Sequence, residues 1–121
     1  MKLDIKDDPR CFSPTETVTL KDFGTIVLEP NEQLTFETEE GKRHDLTRKE
    51  WGWYLSNSVN ASLKGQGYKT ALVMSLFAGE PRIFINVVEE DKLDIFFDYI
   101  EKNKTKLICW LDEWADTSAR G

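Results

Sequence analysis

The sequence predicts an α+β fold built mainly on antiparallel β-sheet, curled or sandwich-like, with one C-terminal amphipathic helix followed by a final strand. Three observations carry this expectation. Short runs rich in β-branched and aromatic residues recur between turn signals, which is the pattern of strands. Gln33 to Thr38 alternates strictly, with Leu34 and Phe36 on one side and Gln33, Thr35 and Glu37 on the other. Leu93, Phe96, Phe97 and Ile100 recur at i, i+3, i+4 and i+7, which makes one apolar stripe on a helix.

The elements follow in chain order. Residues 1–15 contain Pro9, Pro14 and mixed charges, and read as an irregular arm with a short strand near Leu3 to Ile5. Thr17 to Leu20 and Thr25 to Leu28 are β-prone, with Lys21-Asp22-Phe23-Gly24 as the turn between them. Glu29-Pro30-Asn31-Glu32 is a second turn, since Pro fixes φ and Asn tolerates the left-handed region. Gln33 to Thr38 pairs through Glu39-Glu40-Gly41-Lys42 with Arg43 to Thr47, which completes an antiparallel meander. A short strand from Trp53 to Leu55 and a long irregular loop through Gly65 and Gly67 come next. Thr70 to Phe77 and Arg82 to Val88 form a hairpin across Ala78-Gly79-Glu80-Pro81. Glu89-Glu90-Asp91 place acids at the positive end of a helix over residues 90–103. Lys106 to Leu111 is the final strand, and residues 112–121 are a loose tail that holds Trp114.

A length of 121 residues with 40% hydrophobic and 12% aromatic side chains describes one globular domain over residues 1–121. No Gly-, Ser- or Pro-rich linker divides it. The formal net charge of −6 is spread over both halves, which excludes a general nucleic-acid binder dependent on phosphate neutralisation. No apolar run reaches the ~20 residues that cross a bilayer, so no membrane association is expected. Met1 to Arg10 alternates charges where a secretion signal needs an apolar stretch. A cytoplasmic location is therefore expected. Cys11 and Cys109 lie too far apart in sequence for a zinc or redox spacing, and read as reduced thiols. Asn60-Ala61-Ser62 and Asn103-Lys104-Thr105 match a glycosylation sequon by chance if the chain is not secreted.

His44 is the single histidine, beside Arg43 and Asp45, and no G-x-S-x-G elbow accompanies it. Gly24 to Pro30 followed by Leu34 to Glu37 is similar in rhythm to the opening strands of a cupin barrel. The metal-binding histidines of that fold are missing, since the comparable stretch reads Thr35-Phe36-Glu37. A metal-free acid–base enzyme using His44 and carboxylates such as Glu37 is the catalytic alternative, and neither metal nor cofactor is expected. Gly65-Gln66-Gly67 lacks the third glycine and following helix of a dinucleotide loop, and reads as a turn. The densest basic cluster, Lys42, Arg43, Arg48 and Lys49, runs directly into Trp51, Trp53 and Tyr54, with Asn57 and Asn60 beyond. Cations would hold a phosphate or carboxylate, and an aromatic face would stack on a ring. The competing reading makes Trp51 and Trp53 core or packing residues and pairs Arg48 and Lys49 with surface acids.

Asp22-Phe23-Gly24-Thr25 with Glu29 to Gln33, Asp45 to Tyr54, and Val87 to Leu93 together resemble small uncharacterised bacterial proteins associated with surface-polysaccharide gene clusters. The resemblance spans roughly residues 20–112 and implies a role near activated sugars, with no catalytic residue to carry over. The leading expectation is a non-catalytic accessory or binding protein for an anionic sugar or nucleotide sugar in surface-carbohydrate synthesis. Its ligand-binding residues would be Arg43, Arg48, Lys49, Trp51, Trp53 and Tyr54. The third reading is a protein-interaction module, a homodimer through an exposed strand edge.

Overall fold

The computed structural model describes residues 1–16 and 18–114. Thr17, where one strand was expected to begin, and most of the expected tail, residues 115–121, lie outside the described residues. Contacts divide the chain, read from sequence as one domain, into two compact units, residues 1–56 and 57–121.

In the first unit, β1 (Lys2–Thr15) and β2 (Val18–Val27) form a two-stranded antiparallel ribbon. Residues 2–15 are thus a strand and not the irregular arm that Pro9 and Pro14 suggested. Lys2 to Ile5 pair with Val27 to Gly24, and Arg10 to Phe12 pair with Asp22 to Leu20. Between these blocks the register shifts, so that Lys6 to Pro9 face little more than Phe23. A bulge of this kind accommodates Pro9, which has no N–H to give the ladder. The turn expected at residues 21–24 is likewise absent, because β2 runs straight through it. Gly24 (φ +129°) belongs to the strand, and a Cβ there would run into the Asp4 carbonyl oxygen. Its role is close backbone approach.

The meander is as expected: β3 (Gln33–Glu37), β4 (Arg43–Lys49) and β5 (Gly52–Leu55) form a three-stranded antiparallel sheet with β4 in the centre. Asn31, at φ 67°, makes the preceding turn, and its N–H donates to the Arg48 carbonyl at 2.7 Å. Glu32 Oε1 accepts the Glu29 N–H at 2.7 Å and closes the same turn.

In the second unit, α1 (Ser62–Gly65) gives the long loop a helical turn and buries Leu63 completely. β6 (Tyr68–Phe77) is the central strand of a second antiparallel sheet, between β7 (Glu80–Glu89) and β8 (Thr105–Trp110). Ala78 (φ 52°) and Gly79 (φ 82°) are both left-handed, so the β6–β7 connection is a two-residue hairpin turn, shorter than expected. A 3-10 turn over Glu90–Lys92 leads into α2 (Leu93–Lys102). Phe96 and Ile100 pack on Ala71, Val73 and Val88, with Leu93, Leu107 and Trp110 around them. Phe97, the fourth member of the expected stripe, is 43% exposed and touches Trp110 edge-on at 6.3 Å between ring centroids.

The architecture is α+β with mainly antiparallel sheet, in three open sheets. Strand β8 follows α2, but it is not the last element: a further helical turn, α3, covers residues 111–114. Asp112 in that turn, expected in a loose tail, is 1% exposed. Its Oδ1 accepts the Thr70 N–H at 2.9 Å, and its other oxygen lies 3.4 Å from Lys69 Nζ. A buried carboxylate satisfied in this way anchors the end of the chain on β6. Among the described residues no helix is long and apolar enough to cross a membrane.

Candidate functional site

Strand β4 carries four of the residues on which a binding or catalytic site was expected, and alternation decides where each one goes. Leu46 pairs with Leu34 and Leu55, Phe36 with His44, and Arg48 with Trp53. Side chains directly opposite one another share a face, so His44, Leu46, Arg48 and Trp53 stand on one side of the sheet. Thr47 pairs with Gln33 and Tyr54, Glu37 with Arg43, and Lys49 with Gly52. Arg43, Lys49 and Tyr54 therefore occupy the other side. The residues expected to form one site are divided by the thickness of the sheet.

The first side opens on a cleft of about 350 Å³ within the first unit. Leu34, Phe36, Leu46 and Trp53 line it from the meander, Ile5, Phe23 and Ile26 from the ribbon, and Leu28 from the segment that follows β2. Leu28 is buried at its floor, whereas Ile5, Phe23, Phe36 and Trp53 are each about half exposed and form its lips. The Arg48 guanidinium lies over the Trp53 ring, 5.5 Å from the centroid, and donates from Nη1 to the Gly52 carbonyl at 3.2 Å. No carboxylate pairs with it among the described residues. Arg48 is thus a half-buried cation over an indole beside an apolar cleft, with most of its donors uncommitted.

The opposite side is polar and largely self-satisfied. Arg43 Nε bonds Glu37 Oε1 at 3.2 Å, and Lys49 Nζ donates to Asn31 Oδ1 at 2.6 Å. Thr35 Oγ1 donates to Asp45 Oδ1 at 2.6 Å, and Thr47 Oγ1 donates to Gln33 Oε1 at 2.9 Å. The Thr47 and Ser56 hydroxyls are also hydrogen-bonded to one another. Trp51 stacks on Tyr54 at 5.9 Å and 16°, and is 71% exposed, so it is not the core residue of the alternative reading.

Of the six expected ligand-binding residues, Trp53 lines the cleft and Arg48 adjoins it. Arg43, Lys49, Trp51 and Tyr54 do not line it. Glu37 and His44 also point to opposite faces, so the pair proposed for acid–base catalysis is not assembled. Asn57, suggested as an amide ligand, is in the second unit, where its Nδ2 lies 3.3 Å from Ser62 Oγ. Among the described residues no three His, Cys, Asp or Glu side chains converge as a metal site. Of the lining residues only Trp53 was expected in a site; Leu34, Phe36 and Leu46 of the meander, and Ile5, Phe23, Ile26 and Leu28 before it, were not. Apolar residues on separate strands carry no sequence signal that they line one cleft, because pairing and sheet packing alone bring them together. No known protein family, curated protein or solved structure matches the chain.

Proposed function

We propose that this chain is a non-catalytic binding protein and that the cleft of its first unit takes the planar ring of an anionic ligand, a nucleotide sugar being the best fit. One observation carries the reading: the Arg48 guanidinium lies over Trp53, which lines an otherwise apolar cleft. A base would lie against the aliphatic and aromatic lining, and a phosphate would meet the free donors of Arg48. Sugar hydroxyls would lose water there without gaining partners, so the sugar would remain outside. The volume agrees, since about 350 Å³ is near the lower limit of small-molecule sites and holds one ring system. The resemblance to proteins of surface-polysaccharide gene clusters supports choosing an activated sugar as the anionic partner.

Titration of the ¹⁵N-labelled protein with nucleotide sugars and free acidic sugars tests this reading. Saturable shifts are expected at the Trp53 indole and the Arg48 side chain with nucleotide sugars, and weaker ones with free acidic sugars. Arg48→Ala should weaken binding about tenfold or more, the loss of one charge-assisted contact of ~1.5–3 kcal/mol. A silent Trp53 across the panel, or shifts confined to Trp51 and Tyr54 on the opposite face, would sink it.

A further inference from the structure

Strand β4 turns three side chains to the cleft side of the meander. Leu46 lines the cleft, and His44 and Arg48 stand two residues before and after it, each half-buried. His44 pairs directly with Phe36, another lining residue, which fixes the imidazole on that side. The cross-strand neighbours on the same side are Leu34 and Phe36 on β3 and Trp53 and Leu55 on β5. Among these aliphatic and aromatic side chains, His44 and Arg48 are the polar groups, one at each end of Leu46. Glu37 and Asp45, the acids of β3 and β4, take the opposite side, where they pair with Arg43 and Thr35.

We infer that His44 is the specificity-determining residue of the cleft: it hydrogen-bonds the edge of a nucleobase whose 5′-phosphate is held by Arg48. The inference rests on the reading of the cleft as a nucleotide-sugar site, and it names the part of that ligand which is recognised, the nucleoside 5′-phosphate. Spacing is the first argument. Four residues along a strand set His44 and Arg48 about 13 Å apart. A hydrogen bond of about 3 Å at each end leaves about 7 Å between the two ligand atoms. A base edge and its phosphate, joined through ribose, span a length of that order with the ring over Leu46. A base without its phosphate, or a phosphate without its base, reaches one of the two side chains alone. Desolvation is the second argument. A base suits the apolar lining through its flat faces, but its edge carries donors and acceptors that lose water on entry and need a partner. The imidazole has two ring nitrogens, so a contact made by one within the protein leaves the other for the base. Charge is the third. With Glu37 and Asp45 on the far side, no acid of β3 or β4 repels a phosphate at Arg48.

His44 is the single histidine of the chain, so its ring signals are unambiguous in a ¹⁵N-labelled sample. The full chain is titrated with the 5′-monophosphates of uridine, cytidine, adenosine and guanosine, and with ribose 5-phosphate, while the Trp53 indole and the His44 ring nitrogens are followed. The best nucleotide should bind about fivefold or more tighter than the worst, the effect of one hydrogen bond made or missed at the base edge. It should also shift the His44 ring, which ribose 5-phosphate should leave unmoved. His44→Phe keeps a flat ring opposite Phe36 and removes both nitrogens, and should narrow the spread among bases to about twofold. Arg48→Ala should instead weaken all four nucleotides alike. Equal affinities for the four bases in the parent, or an undiminished preference in folded His44→Phe, overturn the inference, while accompanying Trp53 shifts leave the cleft reading standing. If His44→Phe fails to fold, the parent decides: His44 nitrogens that stay unmoved in a complex that shifts Trp53 overturn it. A Trp53 indole silent with every nucleotide removes the cleft reading, and this inference with it.

Discussion

Arg48 and Lys49 are adjacent in sequence and lie on opposite sides of a sheet, and their chemistry diverges accordingly. Arg48 keeps its charge beside an indole and an apolar cleft, while Lys49 is tied to the Asn31 amide. Glu32 shows how a turn residue acquires a measurable role. Its carboxylate accepts the Glu29 N–H, and the Met1 ammonium lies 3.0 Å away. These partners, the backbone hydrogen bond first, hold its pKa below the ordinary glutamate range. A carboxyl with a depressed folded pKa stabilises the fold at and above its unfolded value, and loses that contribution as pH falls through the folded one. The first unit should therefore loosen on acidification below about pH 4.5. Glu32→Gln should remove part of that acid dependence while lowering stability at neutral pH. Chemical denaturation followed at several pH values measures both, and parallel pH profiles for parent and variant would remove Glu32 from the account.

At the scale of the element, α2 separates two phenylalanines that periodicity treats alike. Phe96 is 9% exposed among Ala71, Val73, Val88 and Ile100, so Phe96→Ala should cost ~3–5 kcal/mol through lost burial and a cavity. Phe97 keeps its edge contact with Trp110 but stands largely in water, and Phe97→Ala should cost about 0.5–1.5 kcal/mol. Equal losses in urea melts would mean that the helix is rotated from the orientation described. The ribbon of β1 and β2 teaches the complementary lesson. Its local signals, two prolines and an Asp-Phe-Gly sequence, all read as turn or loop. Pairing along two separate blocks, with Gly24 against the Asp4 backbone, overrides them.

For the whole molecule, the two units differ in how much they bury. The first contributes Leu28 and Thr47 to the buried set, and the second contributes Leu63, the β6 residues Tyr68, Thr70, Ala71 and Val73, then Val88, Phe96, Ile100 and Asp112. Local opening free energy follows buried contact. Amide exchange should accordingly be slowest at Ala71 and Val73 and markedly faster throughout the β1–β2 ribbon, since an isolated pair of strands is marginal in water. Uniform protection of both units would show that the chain opens as a single cooperative body.

The sequence by itself determined the α+β class, the meander from Gln33 to Leu55, the β6–β7 hairpin and the amphipathic α2. Each of these is written in a local period or in turn chemistry, which needs only neighbouring residues to act. Its four-residue β6–β7 loop was too long because Ala78 gives no sign of its left-handed backbone. The ribbon and the burial of Asp112 were not legible, because β1 pairs across a shifted register with residues as distant as Val27 is from Lys2, and Asp112 is held by Thr70, 42 positions away. The candidate site was half legible. Its residue types, a cation and an indole, were visible as a cluster, but a cluster on a strand points to two faces at once. Only pairing with β3 and β5 decides which side chains share a face, and only the ribbon supplies the apolar wall opposite Trp53.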